Sequence, residues 1–137
     1  MLIRSGVDLV RISRIEAAFE RRGEAFLERF MTASEKEACR REDGSWRFER
    51  AAARYAAKEA FAKALGTGIA EGVSFSDIEV SKDERGAPFY RLSGEAEARF
   101  RGAGFKSSSL SLTHDGDYAA AFCVLYGDPE MHDDTEI

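Results

Sequence analysis

The sequence holds only two cysteines and two histidines, and no apolar run approaches the roughly 20 residues that a membrane-spanning helix requires. Cys39 and Cys123 stand in different segments without ligand-like spacing. A disulfide framework and a zinc site are thereby disfavoured, and both thiols read as reduced, small hydrophobes. No signal peptide is visible: Met1-Leu2-Ile3 runs into Arg4 and Asp8 with no apolar stretch or cleavage site, so the expected location is cytoplasmic. A basic excess is missing too. The formal charge is −5, but Asp128, Glu130, Asp133, Asp134 and Glu136 account for it, and the rest of the chain balances 20 acidic against 20 basic residues. That balance argues against a nucleic-acid partner, and nothing points to a membrane partner. Repeats, low-complexity linkers and domain boundaries are also lacking. With 137 residues, 44% of them apolar, the chain fits one domain with a real core over residues 1–127, followed by a solvated, disordered acidic tail over 128–137.

What is present is a hydrophobic period that changes along the chain. Ile3, Val7 and Leu9 alternate with Arg4, Gly6 and Asp8, which predicts a strand over 2–10 with Asp8 turned away from Val7 and Leu9. Ile12, Ile15, Ala18 and Phe19 form a helical stripe over 11–22, backed by Arg11, Arg14, Arg21 and Arg22 against Glu16 and Glu20. Thr32 and Glu35 make a capping box for a helix running to about Arg41. An alanine-rich helix follows over 48–65 and stops at Gly66. Strands are expected over 75–80 and 88–92, then a short helix capped by Ser93, then strands over 107–113 and 118–126 joined by a turn at His114-Asp115-Gly116-Asp117. The order predicts a single small α+β domain with a mainly antiparallel sheet and a long central helix.

Few residues could carry chemistry. Glu59 and Lys63 share a helix face, as any surface ion pair at this spacing does. Gly66-Thr67-Gly68, one turn on, would add exposed amides and a hydroxyl suited to cradling a phosphate, although a glycine there is mostly a helix cap. Asp8 is either an ordinary acid at a strand end or a ligand for a hard cation, since Mg²⁺ takes one or two carboxylates and fills its shell with water and phosphate oxygens. His114 reads as a solvated turn residue, a phosphate donor or a proton acceptor. Arg54, five residues before Glu59, faces another side of the helix and can be simply solvated.

Taken together, the segments resemble the holo-acyl-carrier-protein synthase family of small 4′-phosphopantetheinyl transferases. The match rests on Gly6-Val7-Asp8-Leu9-Val10 with Arg14-Ile15, on Phe30-Met31-Thr32 with Glu35, on the specific run from Arg54 through Lys58-Glu59 and Lys63 to Gly68, and on Ser109 to His114. It covers about residues 1–126. The resemblance implies transfer of 4′-phosphopantetheine from coenzyme A to a serine of apo acyl carrier protein, in fatty-acid biosynthesis, with release of adenosine 3′,5′-bisphosphate. It implies that Asp8 and Glu59 bind Mg²⁺ and that Lys63 contacts phosphate, making these three the catalytic set. Gly66, Thr67 and Gly68 would line the coenzyme A groove, Arg54, Thr113 and His114 would reach the nucleotide end, and Arg14 and Arg21 would meet the acidic carrier. The proton acceptor stays open between a water on the metal and Glu59. Larger superfamily members carry a second acid where this chain has Val10, so the metal would have two protein carboxylates. A small unit of this kind completes its site as a homotrimer, with Asp8 and Glu59 expected on adjacent subunits' sides of a shared cleft. Two other classes compete: a catalytically silent coenzyme A or carrier binder, which has no need of the metal pair, and a metal-dependent phosphohydrolase, which would show more histidine and aspartate ligands.

Overall fold

The computed structural model describes residues 1–128; apart from Asp128, the stretch read as an acidic tail lies outside the described residues. In chain order the elements are β1 (Leu2–Arg11), α1 (Ile12–Arg22), α2 (Glu24–Glu28), α3 (Ala33–Cys39), α4 (Phe48–Leu65), β2 (Ile78–Lys82), β3 (Pro88–Leu92), α5 (Gly94–Gly102), β4 (Ser107–Asp115) and β5 (Tyr118–Gly127). β1, β5 and β4 form one sheet in that order, and β2 and β3 a second; all pairings are antiparallel. The expected α+β class is therefore observed.

α4 is the axis of the molecule. Its alanines are helix formers with no side-chain entropy to lose, and 11 of its 18 residues are buried. Small side chains let it lie close against β1 and β5. At Gly6 a Cβ would stand 1.9 Å from the Ala60 carbonyl oxygen, so no other residue fits without moving the helix. On the far side Phe61 meets Tyr90 and Phe100 at ring separations of 5.1 and 6.1 Å, and the Tyr90 hydroxyl donates to the Ala57 carbonyl at 2.6 Å. The second sheet and α5 are thus packed on the same helix.

A fully buried ion pair fixes α4 on its third side. Lys58 Nζ lies 2.6 Å from Glu35 Oε1 and also donates to the carbonyls of Phe30 and Phe75. Those three acceptors use every donor of the ammonium. Burial pushes the Lys58 pKa down, with the Glu35 charge opposing the shift. Glu35 in turn accepts from the amides of Thr32 at 3.0 Å and Val80 at 2.9 Å, so the capping box doubles as the junction of α3, α4 and β2.

Several expected boundaries move. Residues 75–77 form a 3-10 turn, and the strand starts at Ile78. α3 stops at Cys39 rather than Arg41, where an Arg40–Trp46 bridge closes the following loop. Ser93 occupies the N-cap of α5 but makes no side-chain bond there. His114 and Asp115 belong to β4, leaving Gly116-Asp117 as the turn. α2 has five residues and no periodicity long enough to read. The alternation of β1 is as expected, yet its apolar members are the exposed ones: Ile3, Val7 and Leu9 are 53, 60 and 64% accessible, while Gly6 and Val10 face α4. Both thiols are buried and free, as expected.

Gly6→Ala should lower the unfolding free energy by about 3 kcal/mol, the upper end of overpacking costs, because the new methyl meets backbone rather than a yielding side chain. Urea denaturation measures this, and an unchanged midpoint would refute the close approach.

Candidate active site

The tight β1–α4 contact sets the site. With Gly6 against Ala60, the inward side chain two residues on, Asp8, comes beside the next exposed face of α4. Lys63 Nζ lies 2.9 Å from Asp8 Oδ1 and 3.1 Å from the Val7 carbonyl. Glu59 sits one turn earlier on α4 and Tyr55 one turn before that, on the same side. Burial raises the Glu59 pKa above its ordinary 4.5, the Asp8 charge adds to the rise, and Lys63 partly offsets it. No hydrogen bond contributes to that shift.

Asp8, Glu59 and Tyr55 line a groove of about 560 Å³ whose other wall is α1 and the start of α2, with Arg14, Arg21 and Phe26 turned into it. The floor is negative and the rim positive. Two carboxylates on one wall, one of them without a hydrogen bond among the described residues, are the donor set expected for a hard divalent cation. Zinc or a histidine-rich centre does not fit: among the described residues no group of three or more His, Cys, Asp or Glu converges. Val10 is buried in the core and offers no ligand. Asp8 and Glu59 line the same groove of one chain, so the expectation that they come from adjacent subunits' sides of a cleft is corrected.

The other expected site residues lie elsewhere. The amides of Gly66, Thr67 and Gly68 all point to the Ala62 carbonyl, at 3.0, 3.1 and 3.2 Å, and the Thr67 hydroxyl donates to Gly68 O at 2.7 Å. They close the helix rather than face outward as donors, because the last carbonyls of α4 need partners. A helix C-terminus is also the negative end of its dipole, so positive charge here comes from Lys63 and Arg4, which flank a shallow pocket beside Gly66. Thr113 and His114 are exposed on β4, at the opposite edge of the sheet from Asp8 and two strand spacings away, about 10 Å. Arg54 is not solvated: it is 3% accessible. Its Nη1 donates to the Arg50 carbonyl at 3.4 Å, its Nε is buried without a partner among the described residues, and its charge acts on Cys39 of α3. One chain therefore unites Asp8, Glu59, Lys63, Arg14 and Arg21, and leaves Arg54, Thr113, His114 and residues 66–68 outside the groove.

Tyr55 and Phe26 were not anticipated. Tyr55 was findable, four residues before Glu59 on one helix face; its ring is held by Phe30 and Phe75 at 5.3 and 5.4 Å, and burial raises its pKa. Phe26 carries no such signal, lying on a helix of five residues.

Residues 4–123 match the model of the 4′-phosphopantetheinyl transferase superfamily. A holo-[acyl-carrier-protein] synthase of Trichlorobacter lovleyi is 42% identical over 126 residues, spanning 91% of this chain and 98% of that protein. Among solved structures, the Helicobacter pylori holo-[acyl-carrier-protein] synthase in complex with coenzyme A is 38% identical with a TM-score of 0.78, over 89% of this chain and 99% of that one. A coenzyme A complex of the corresponding Chronobacterium ammoniagenes protein is 35% identical with a TM-score of 0.80, over 93% and 99%.

In metal-free protein the Glu59 carboxyl should titrate above 4.5, and Asp8→Asn should move its midpoint down by removing a like charge. The sign carries into stability: a raised folded pKa favours the fold below it, and that contribution is lost as pH rises through it. Carboxyl ¹³C NMR reads the midpoint; no downward movement in Asp8→Asn would mean the two acids do not share a site.

Proposed function

The chain belongs to the 4′-phosphopantetheinyl transferase superfamily, and from that premise we infer that it transfers the 4′-phosphopantetheine of coenzyme A to a serine of apo acyl carrier protein, releasing adenosine 3′,5′-bisphosphate. The observation that carries this reading is the meeting of Asp8 and Glu59 in a groove rimmed by arginines, with Lys63 paired to Asp8 at 2.9 Å. Asp8 and Glu59 are the residues that would hold Mg²⁺, which would supply charge stabilisation to the phosphates and the leaving group. Lys63, 52% exposed, would supply a further positive charge to the same phosphates. Arg14 and Arg21, exposed on α1, present the charge that an acidic carrier requires. The holo carrier serves fatty-acid biosynthesis, in the cytoplasm.

A homotrimer accounts for the rest. The face of the main sheet turned away from α4 carries Ile3, Val7, Leu9, Phe122 and Tyr126, between 41 and 64% accessible, in adjacent rows. An apolar sheet face of this kind is expected to be covered. Covering it with other copies would bring the Thr113 and His114 edge of one subunit toward the groove of the next.

Incubation with Mg²⁺, coenzyme A and apo acyl carrier protein should raise the carrier's intact mass by one phosphopantetheine. Asp8→Ala and Glu59→Ala should each reduce the rate at least about a hundredfold, given the several kcal/mol of charge stabilisation at stake. A chain that binds coenzyme A yet never modifies the carrier would be the silent binder instead. Light scattering should give the wild-type chain a trimer mass, and Val7→Asp with Phe122→Glu a monomer mass; a wild-type mass other than three chains would sink the trimer, and an unaltered mutant mass would sink this face as its interface.

A further inference from the structure

α1 begins where β1 ends, and nothing in its own sequence caps it. Its N-cap residue, Arg11, makes no side-chain capping bond, and its first turn holds no acid. The missing groups come from the other end of the chain. Asp117, in the β4–β5 turn, accepts from the Ile12 amide through its backbone oxygen at 2.7 Å, from the Ser13 amide through Oδ1 at 2.9 Å, and from the Ser13 hydroxyl through Oδ2 at 2.6 Å. A carboxylate placed there satisfies orphan donors and meets the positive end of the helix dipole.

We propose that Asp117 is a positioning residue for the carrier-protein substrate, holding the first turn of α1 so that Arg14 stays turned into the groove. Arg14 is the residue directly after Ser13, within the turn that Asp117 closes, and it lines the groove with Asp8 and Glu59. Arg21 lies in the last turn and is anchored independently at Gly23, whose amide donates to the Phe19 carbonyl at 2.6 Å. Loss of the cap therefore frays the Arg14 end and spares the Arg21 end. This rests on the transferase reading, since it presumes that Arg14 meets the carrier.

Steady-state transfer with coenzyme A and apo acyl carrier protein, on the full chain, separates the outcomes. Asp117→Ala should raise KM for the carrier about fivefold, the size of a lost cap, with kcat and KM for coenzyme A within about twofold. Asp117→Asn should restore the carrier KM, because asparagine caps nearly as well. Arg14→Ala alone should also raise that KM, but in the Asp117→Ala background it should add little, as the side chain is already displaced. Hydrogen exchange at the Ser13 amide, read without any substrate, should accelerate in Asp117→Ala. Fast exchange with an unchanged carrier KM, or strictly additive Arg14 and Asp117 effects, overturns the proposal. Absence of transfer by the wild-type chain overturns the transferase reading instead, and slow exchange at Ser13 in Asp117→Ala overturns the cap itself.

Discussion

Everything in the site depends on how closely α4 can approach β1. Helices pack on sheets at a distance set by the side chains between them, and here the intervening residues are Gly6 on one surface and Ala60 and Ala64 on the other. The Ala60 carbonyl occupies the space a Cβ would need. That contact brings Lys63 to Asp8 and sets Glu59 beside both. A larger residue at position 6 would lift the helix and separate two carboxylates contributed by different elements. The run of alanines in α4 is the other half of this geometry, since each removes a side chain that would hold the helix away.

Closeness alone would let the helix turn about its axis. Lys58 and Glu59 are neighbours in sequence and point about 100° apart, so one enters the core while the other faces the groove. The ammonium of Lys58, bound to Glu35 and two carbonyls, has a single set of positions in which all three partners are met. Replacing a buried pair by apolar groups is often neutral, whereas removing one member costs about 3–5 kcal/mol. The use of this pair is therefore geometric: it locks the rotation of α4 and with it the direction of Glu59.

The elements with strong periodicity were legible in sequence, and so were their ends where a specific group marks them. α4 runs from Phe48 to Leu65 as expected because alanine runs and Gly66 leave no other solution, and Thr32 and Glu35 make the predicted capping box. The direction of β1 was harder. Its alternation is plain, but alternation says only that two faces differ, not which one the helix covers. Gly6 decided it, and a glycine carries no hydrophobic signal. The phosphate cradle at residues 66–68 looked open because glycines suggest free amides; in three dimensions those amides are spent on the end of the helix. Arg54 looked solvated because a charge is normally at the surface. Its burial comes from tertiary packing around α4, which local spacing does not encode.

The charge pattern of the groove gives the geometry its chemical sense. Lys63 and Asp8 pair across a partly exposed gap, and such pairs contribute no more than about 1 kcal/mol. Either partner can therefore exchange the other for a better-matched ion at little cost. Glu59 has no hydrogen bond to give up among the described residues, and burial and the Asp8 charge already disfavour its ionised form. Under the proposed reading, a cation of charge two between the acids would relieve that repulsion and free Lys63 for an anion. A cation and a phosphate would thus be accommodated together more easily than either alone, as the proposed transfer from a pyrophosphate requires.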